Sequence, residues 1–152
     1  MNLEHVTKWI KSFGRSADEA VSFYADEFDF ADYPLEQFIK NDKARLRRAF
    51  IPFANQDPAT GFGFHEFDVD EYIGDENAGL VRFSWKARDC SAFFGLPVPA
   101  GKQLVTNGMS YHIYQDGKIV REIVHSDQIH VLQQLGHPVD IPHFWDDETF
   151  GL

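Results

Sequence analysis

At 152 residues the chain is one domain's worth, and its net charge of -10 with histidines neutral repels phosphate, which argues against a nucleic-acid partner. Fifteen Phe, five Tyr and three Trp supply large apolar side chains for a core or a pocket wall, while the single Cys90 excludes an internal disulfide framework. The N-terminus MNLEHVTKWIKSF lacks the apolar heart of a signal peptide, and no apolar run nears the roughly 18 residues that span a bilayer, so a soluble, cytoplasmic protein without a membrane partner is expected.

Leu3, Val6, Trp9, Ile10 and Phe13 recur at three- and four-residue spacing, which predicts an amphipathic first helix ending near Gly14. Ser16 or Asp18 caps a short second helix through Ala20, Val21, Phe23 and Tyr24. The stretch FDFADYP is expected to be extended, because the residue before Pro34 is pushed out of the helical region. A third helix is predicted from Asp42 to Ala54 with Leu46, Phe50 and Phe53 inward, so that residues 3 to 54 are mainly helical. Its basic cluster, Lys43, Arg45, Arg47 and Arg48, reads as a solvated helix face.

From Gly61 the period changes to two. GFHEFDVDEYIGD sets Phe67, Val69 and Ile73 on one face, and GLVRFSWKAR follows with Val81, Phe83 and Trp85 on one side. FFGLPVPAGK reads as a loop. LVTNGMSYHIY and KIVREIVHSD then form a hairpin across Asp116-Gly117, a pair that tolerates the positive φ of a tight turn. QIHVLQQLG is a short closing helix ended by Gly136 and Pro138. Residues 1–136 are therefore read as one α+β domain, helices on one face of an antiparallel sheet, and 137–152 as an acidic tail.

Four passages carry a family resemblance. FYADEFDFADYP resembles a passage of many nuclear transport factor 2-like enzymes, ketosteroid isomerases included. WKAR followed by GLPVPAGK, then SYHIYQDGKIVREI, then SDQIHVLQQLG, resemble in order three passages of the SnoaL-like polyketide cyclases, with one extra residue in the loop and one fewer before the turn. The resemblance implies a cone-shaped α+β barrel, its N-terminal helices packed on a curved antiparallel sheet around an apolar pocket. Relatives use such pockets for cyclisation, isomerisation, dehydration, epoxide opening or ligand binding alone.

The same resemblance nominates three ionisable residues. Asp127 matches the general acid/base of an aldol ring closure, although an Asp just before a helix also serves as an N-cap. Asp32 matches the proton-shuttling base of the isomerases, with a turn-forming acid as the alternative. His112 stands where those isomerases place a donor to the enolate oxygen, and a locally satisfied strand histidine is its alternative. Trp9 and Tyr24 are candidate pocket walls or core residues.

Spacing groups these candidates. If Asp116-Gly117 is a plain two-residue turn, His112 faces Arg121 and Asp127 faces Thr106. His112, Arg121, His125 and Asp127 then share a sheet face, with His112 and Asp127 roughly 20 Å apart unless a bulge intervenes. This leaves two sub-sites, Asp127 with His125 and Asp32 with His112, Arg121 and His125 serving as substrate-binding residues. His125, Asp127 and His130 are ligand types, but strand and helix parity do not converge them on one metal. Cys90 has no activating base beside it except Arg88, and GFGFHEF lacks the third glycine of a dinucleotide site. The expectation is a cofactor-free and metal-free acid/base enzyme acting on a small, apolar, carbonyl-bearing substrate. A non-catalytic ligand-binding or interaction domain is the rival, and epoxide-opening or hydroxylation-type chemistry is a weaker one. Tyr111, Ile113, Val120 and Val124 are placed on an apolar outer face, which predicts a homodimer.

Overall fold

The computed structural model describes residues 2–59 and 61–141. The first helix, α1 (Leu3–Ser12), starts where the Asn2 side chain accepts the His5 N–H at 2.9 Å, and it buries Val6, Trp9 and Ile10. Ser16 caps α2 (Ala17–Val21) through the Glu19 N–H. This helix ends three residues short of Tyr24, because the sheet claims the chain there: the Ile119 N–H donates to the Phe23 carbonyl at 2.9 Å. Tyr24 therefore opens a strand, β1 (Tyr24–Asp32), and a turn leads to β2 (Gln37–Lys40). Helix and strand thus share the segment expected to be mainly helical. Asp42 caps α3 (Lys43–Ala54), which buries Leu46 and Phe50. Two of its basic residues reach acids at the surface, Lys43 to Asp26 and Arg47 to Asp18, each at 2.6 Å, as a solvated face should.

Four long strands follow, β3 (Phe64–Gly74), β4 (Ala78–Arg88), then β7 (Leu104–Gln115) and β8 (Lys118–Ser126). The FFGLPVPAGK segment between them is more than a loop, since β5 (Ala92–Phe93) and β6 (Leu96–Pro97) make a small hairpin. Helix α4 (Gln128–Gln134) closes the described fold, and the tail from residue 142 onward lies outside the described residues. The main sheet runs β2-β1-β8-β7-β4-β3. Its pairs are antiparallel except β1 with β8, which is parallel, so the sheet is mixed rather than antiparallel throughout.

Two bulges decide which side chains face the helices. Asp70 is left without a partner in β3, so Tyr72 packs toward the core and Ile73 turns to solvent. In β8 the turn residues Asp116 (φ 50) and Gly117 (φ 75) adopt the expected positive φ, but Val120 bulges out. Beyond it every pairing shifts by one, and His112 opposes Glu122 instead of Arg121.

Candidate functional site

Between the helices and the inner sheet face lies a cleft enclosing about 730 Å³, its open mouth included. Trp9 and Ile10 come from α1, Phe50 and Phe53 from α3, Phe67 from β3, Phe83 and Trp85 from β4, and Phe93 and Phe94 from the small hairpin. Strand alternation delivers Phe30 and Asp32 from β1 and Glu122, Val124 and Ser126 from β8 to this same face. The wall is apolar with a few polar points, as small-molecule sites are.

Asp32 is the clearest of those points. It sits at the last position of β1, 8% exposed, where its Oδ1 accepts the Leu35 N–H at 3.1 Å and so closes the turn into β2. Loss of water raises its pKa to about 6 from an ordinary 3.8; the Leu35 hydrogen bond opposes that rise, and the charge of Glu122 adds to it. A carboxylate tuned this way is a better proton acceptor than a solvated Asp and is still mostly ionised at neutral pH.

Glu122 was not among the sequence-derived candidates. It is 2% exposed and faces the cleft, with one carboxylate oxygen accepting from the Tyr24 hydroxyl and the other from Ser110 Oγ at 2.7 Å. The chain of contacts continues behind it. Ser110 Oγ meets His112 Nε2 at 2.8 Å, and His112 Nδ1 meets the Tyr114 hydroxyl at 2.8 Å. His112 is 1% exposed with both ring nitrogens engaged, so it sits behind Glu122 and does not line the cleft. Tyr24 is also behind the wall, its hydroxyl pKa driven far up by burial and by the Glu122 charge. The one signal in the sequence was a charged pair, Arg121 and Glu122, inside the apolar ends of Ile119 to Val124, and the Val120 bulge was needed to read which of the two faces inward.

The other candidates lie apart. Arg121 is exposed on the outer face, 3.2 Å from Asp29, and His125 is exposed there too, stacked on Tyr33 with ring centroids 5.3 Å apart. Neither lines the cleft, because the register shift inverted their parity; the same shift brings Val124 in from the expected outer face. Asp127 is exposed and caps α4 by accepting the His130 N–H at 2.9 Å, while its neighbours Ser126 and Gln128 line the cleft mouth. Of the two proposed sub-sites, Asp127 with His125 is not assembled; Asp32 shares the cleft with Glu122, and His112 stands one layer back. Trp9 lines the cleft as expected. Cys90 is buried beneath the Phe62 carbonyl, and desolvation pushes its thiol pKa up. Among the described residues no three His, Cys, Asp or Glu side chains converge as a metal set, and no helix is long and apolar enough to cross a membrane.

A sequence profile of the family described as SnoaL-like polyketide cyclase matches residues 12–135. No curated protein matches the chain significantly. Among solved structures, AclR from Streptomyces galilaeus, provisionally assigned as a hydroxylase, superposes with a TM-score of 0.72 at 13% identity, over 97% of this chain and 88% of its own. A protein of ketosteroid isomerase-like fold from Catenulispora acidiphila, solved with trimethylamine, gives 0.71 at 10% identity, over 93% of this chain and 99% of its own. IdmH from Streptomyces antibioticus, provisionally assigned as a polyketide cyclase, gives 0.68 at 15% identity, over 88% and 96%. At such identities the likeness is one of fold.

Proposed function

The chain belongs to the SnoaL-like polyketide cyclase family, and on that footing we propose that its cleft holds a carbonyl-bearing small molecule from which Asp32 removes a carbon-bound proton. The reading takes the sheet as a cone wrapped around the cleft. The observation that carries it is Asp32 itself: a desolvated carboxylate with its pKa near 6, aimed into an aromatic-walled space. The C–H bond beside the carbonyl breaks, the proton passes to Asp32, and the electron pair moves onto the carbonyl oxygen as an enolate. Gln37, partnered with Asp32 across the β1–β2 pair, and Gln128 offer cleft-lining amide donors to that oxygen. Attack of the enolate carbon on a second carbonyl closes a ring, and Asp32 returns its proton to the new alkoxide. Reprotonation at another carbon instead gives isomerisation. Both outcomes need the same base, and family membership favours ring closure.

Two other readings weigh less. Epoxide opening by an aspartate-arginine-aspartate set lacks its cation at the cleft, since Arg88 is exposed beside Asp89 and Arg121 lies on the outer face. A binding domain without catalysis accounts for Asp32 as the acceptor that closes the Leu35 turn, but gives its raised pKa at the cleft no use. The test uses nitrobenzisoxazole, a planar probe whose ring opens to a coloured phenolate when a carboxylate takes its C–H proton. Asp32→Asn should lose about 10²-fold or more in kcat/KM, and the wild-type rate should climb through pH about 6. Asp127→Asn should keep both rate and fold, because Asn caps a helix about as well as Asp. A rate that survives Asp32→Asn and falls with Asp127→Asn would overturn this assignment.

A further inference from the structure

Among the described residues nineteen line the cleft; ten of them are Phe or Trp, two are carboxylic acids, and none is Lys, Arg or His. The two acids sit close together. Phe30 pairs with Glu122 and Asp32 with Val124 on parallel strands, which sets the Asp32 and Glu122 backbones roughly 8 Å apart on one face. Trp9, Phe30 and Phe50 wall that end, with Phe30 and Phe50 edge to face at 5.7 Å.

A carboxylate at 2% exposure needs a counter-charge or a proton, because hydroxyl donors solvate it without cancelling its charge. Among the described residues the hydrogen-bond partners of Glu122 are hydroxyls, those of Tyr24 and Ser110. The nearest basic group among the described residues is His112, whose Nε2 lies 3.6 Å from Glu122. When protonated it balances one carboxylate, which leaves the second acid of the pair, Asp32, without a cation. Aromatic faces attract cations through the negative face of the ring, and a quaternary ammonium group, which has no N–H to solvate, loses little hydration on entering such a space. We propose that the molecule accepted by this cleft carries a cationic amine, seated between Glu122, Asp32 and the rings of Trp9, Phe30 and Phe50. A substrate bearing a carboxylate at that end would meet two like charges and be turned away.

The inference rests on the reading of the cleft as a substrate site, but not on Asp32 acting as a base. It is tested by titrating the protein with choline and with choline's neutral carbon isostere, in which tert-butyl replaces trimethylammonium, following the tryptophan fluorescence, to which the cleft residues Trp9 and Trp85 contribute. Choline should bind at least about tenfold tighter, and Glu122→Gln, which keeps the side-chain volume, should erase most of that preference. Choline should also inhibit nitrobenzisoxazole elimination competitively. Equal affinity for the two probes in the wild-type protein overturns the proposal, and needs no variant to fold. If the preference fails while Asp32-dependent elimination persists, the cationic substrate falls and the base stands. If elimination is absent but the preference holds, the reverse is true.

Discussion

Burying Asp32 in an apolar cleft costs stability once it ionises. Its folded-state pKa of about 6 lies above the ordinary 3.8, so the folded chain holds this proton more tightly than the unfolded one. The stability from the protonated form is complete below 3.8 and is lost as pH rises to about 6, a total of roughly 3 kcal/mol at about 1.4 kcal/mol per pH unit. His65 works in the opposite sense. It is buried among Phe53, Phe62, Phe67 and Trp85, its Nδ1 accepts the Trp85 indole N–H at 2.9 Å, and burial lowers its pKa from 6.5 to about 4. Its contribution is complete above 6.5 and is lost as pH falls to about 4. Between these limits the two slopes offset. Asp32→Asn should therefore be more stable than wild type at neutral pH by up to about 3 kcal/mol, with the gap closing near pH 4 and the variant losing stability steadily below 6.5. Denaturant titrations across this range check it, and a gap that does not change with pH would contradict it. Asp32 was legible as a candidate because the passage FYADEFDFADYP, with its acid two residues before a proline, resembles that of the ketosteroid isomerases. Glu122 was not, because its meaning comes from Tyr24 and Ser110, which are distant in sequence.

At the scale of elements, the helices and long strands could be read from apolar spacing, whereas the bulges at Asp70 and Val120 could not. A single inserted residue inverts every later side chain, yet Val120 is as apolar as the Ile119 before it and gives no sign that it is the extra residue. That one residue moved Arg121 and His125 out of the expected pocket and Glu122 and Val124 into it. The small β5–β6 hairpin was hidden for another reason: its turn places Phe94 at φ 46, where a bulky side chain is strained, next to Gly95 at φ 82. Phe94 stays 39% exposed while its ring meets Phe62 at 4.4 Å and Phe93 at 4.7 Å and forms part of the cleft wall. The strained turn holds an aromatic ring in the cleft wall. Phe94→Asn should relieve the strain and lose the ring packing, so that stability moves by under about 1 kcal/mol, while an aromatic probe of the cleft binds about tenfold more weakly. Thermal melts beside a nitrobenzisoxazole titration read both effects, and unchanged affinity would remove Phe94 from the site.

Across the whole molecule, the helices and cleft occupy one face of the main sheet, and the other face is apolar in places despite the acidic chain. Phe38, Leu80, Met109 and Tyr111 are all exposed, and the Tyr33–His125 stack lies against Phe38. Strand register makes several of them neighbours, with Leu80 opposite Tyr111 and Met109 opposite His125, so the patch runs from β4 across β7 to β8. Its membership differs from the sequence expectation, since Val124 lines the cleft, but Tyr111 remains on it. An apolar patch of this kind on a chain of charge -10 is expected to be covered by a second copy, since a two-fold axis sets like surfaces together without requiring a cationic partner. Sedimentation velocity at micromolar concentration should give twice the chain mass. Met109→Glu places a charge at the middle of the patch and should shift the protein to the monomer, with the cleft intact because Met109 points away from it. A wild-type protein that sediments as a monomer throughout this range would show that the patch serves something other than self-association.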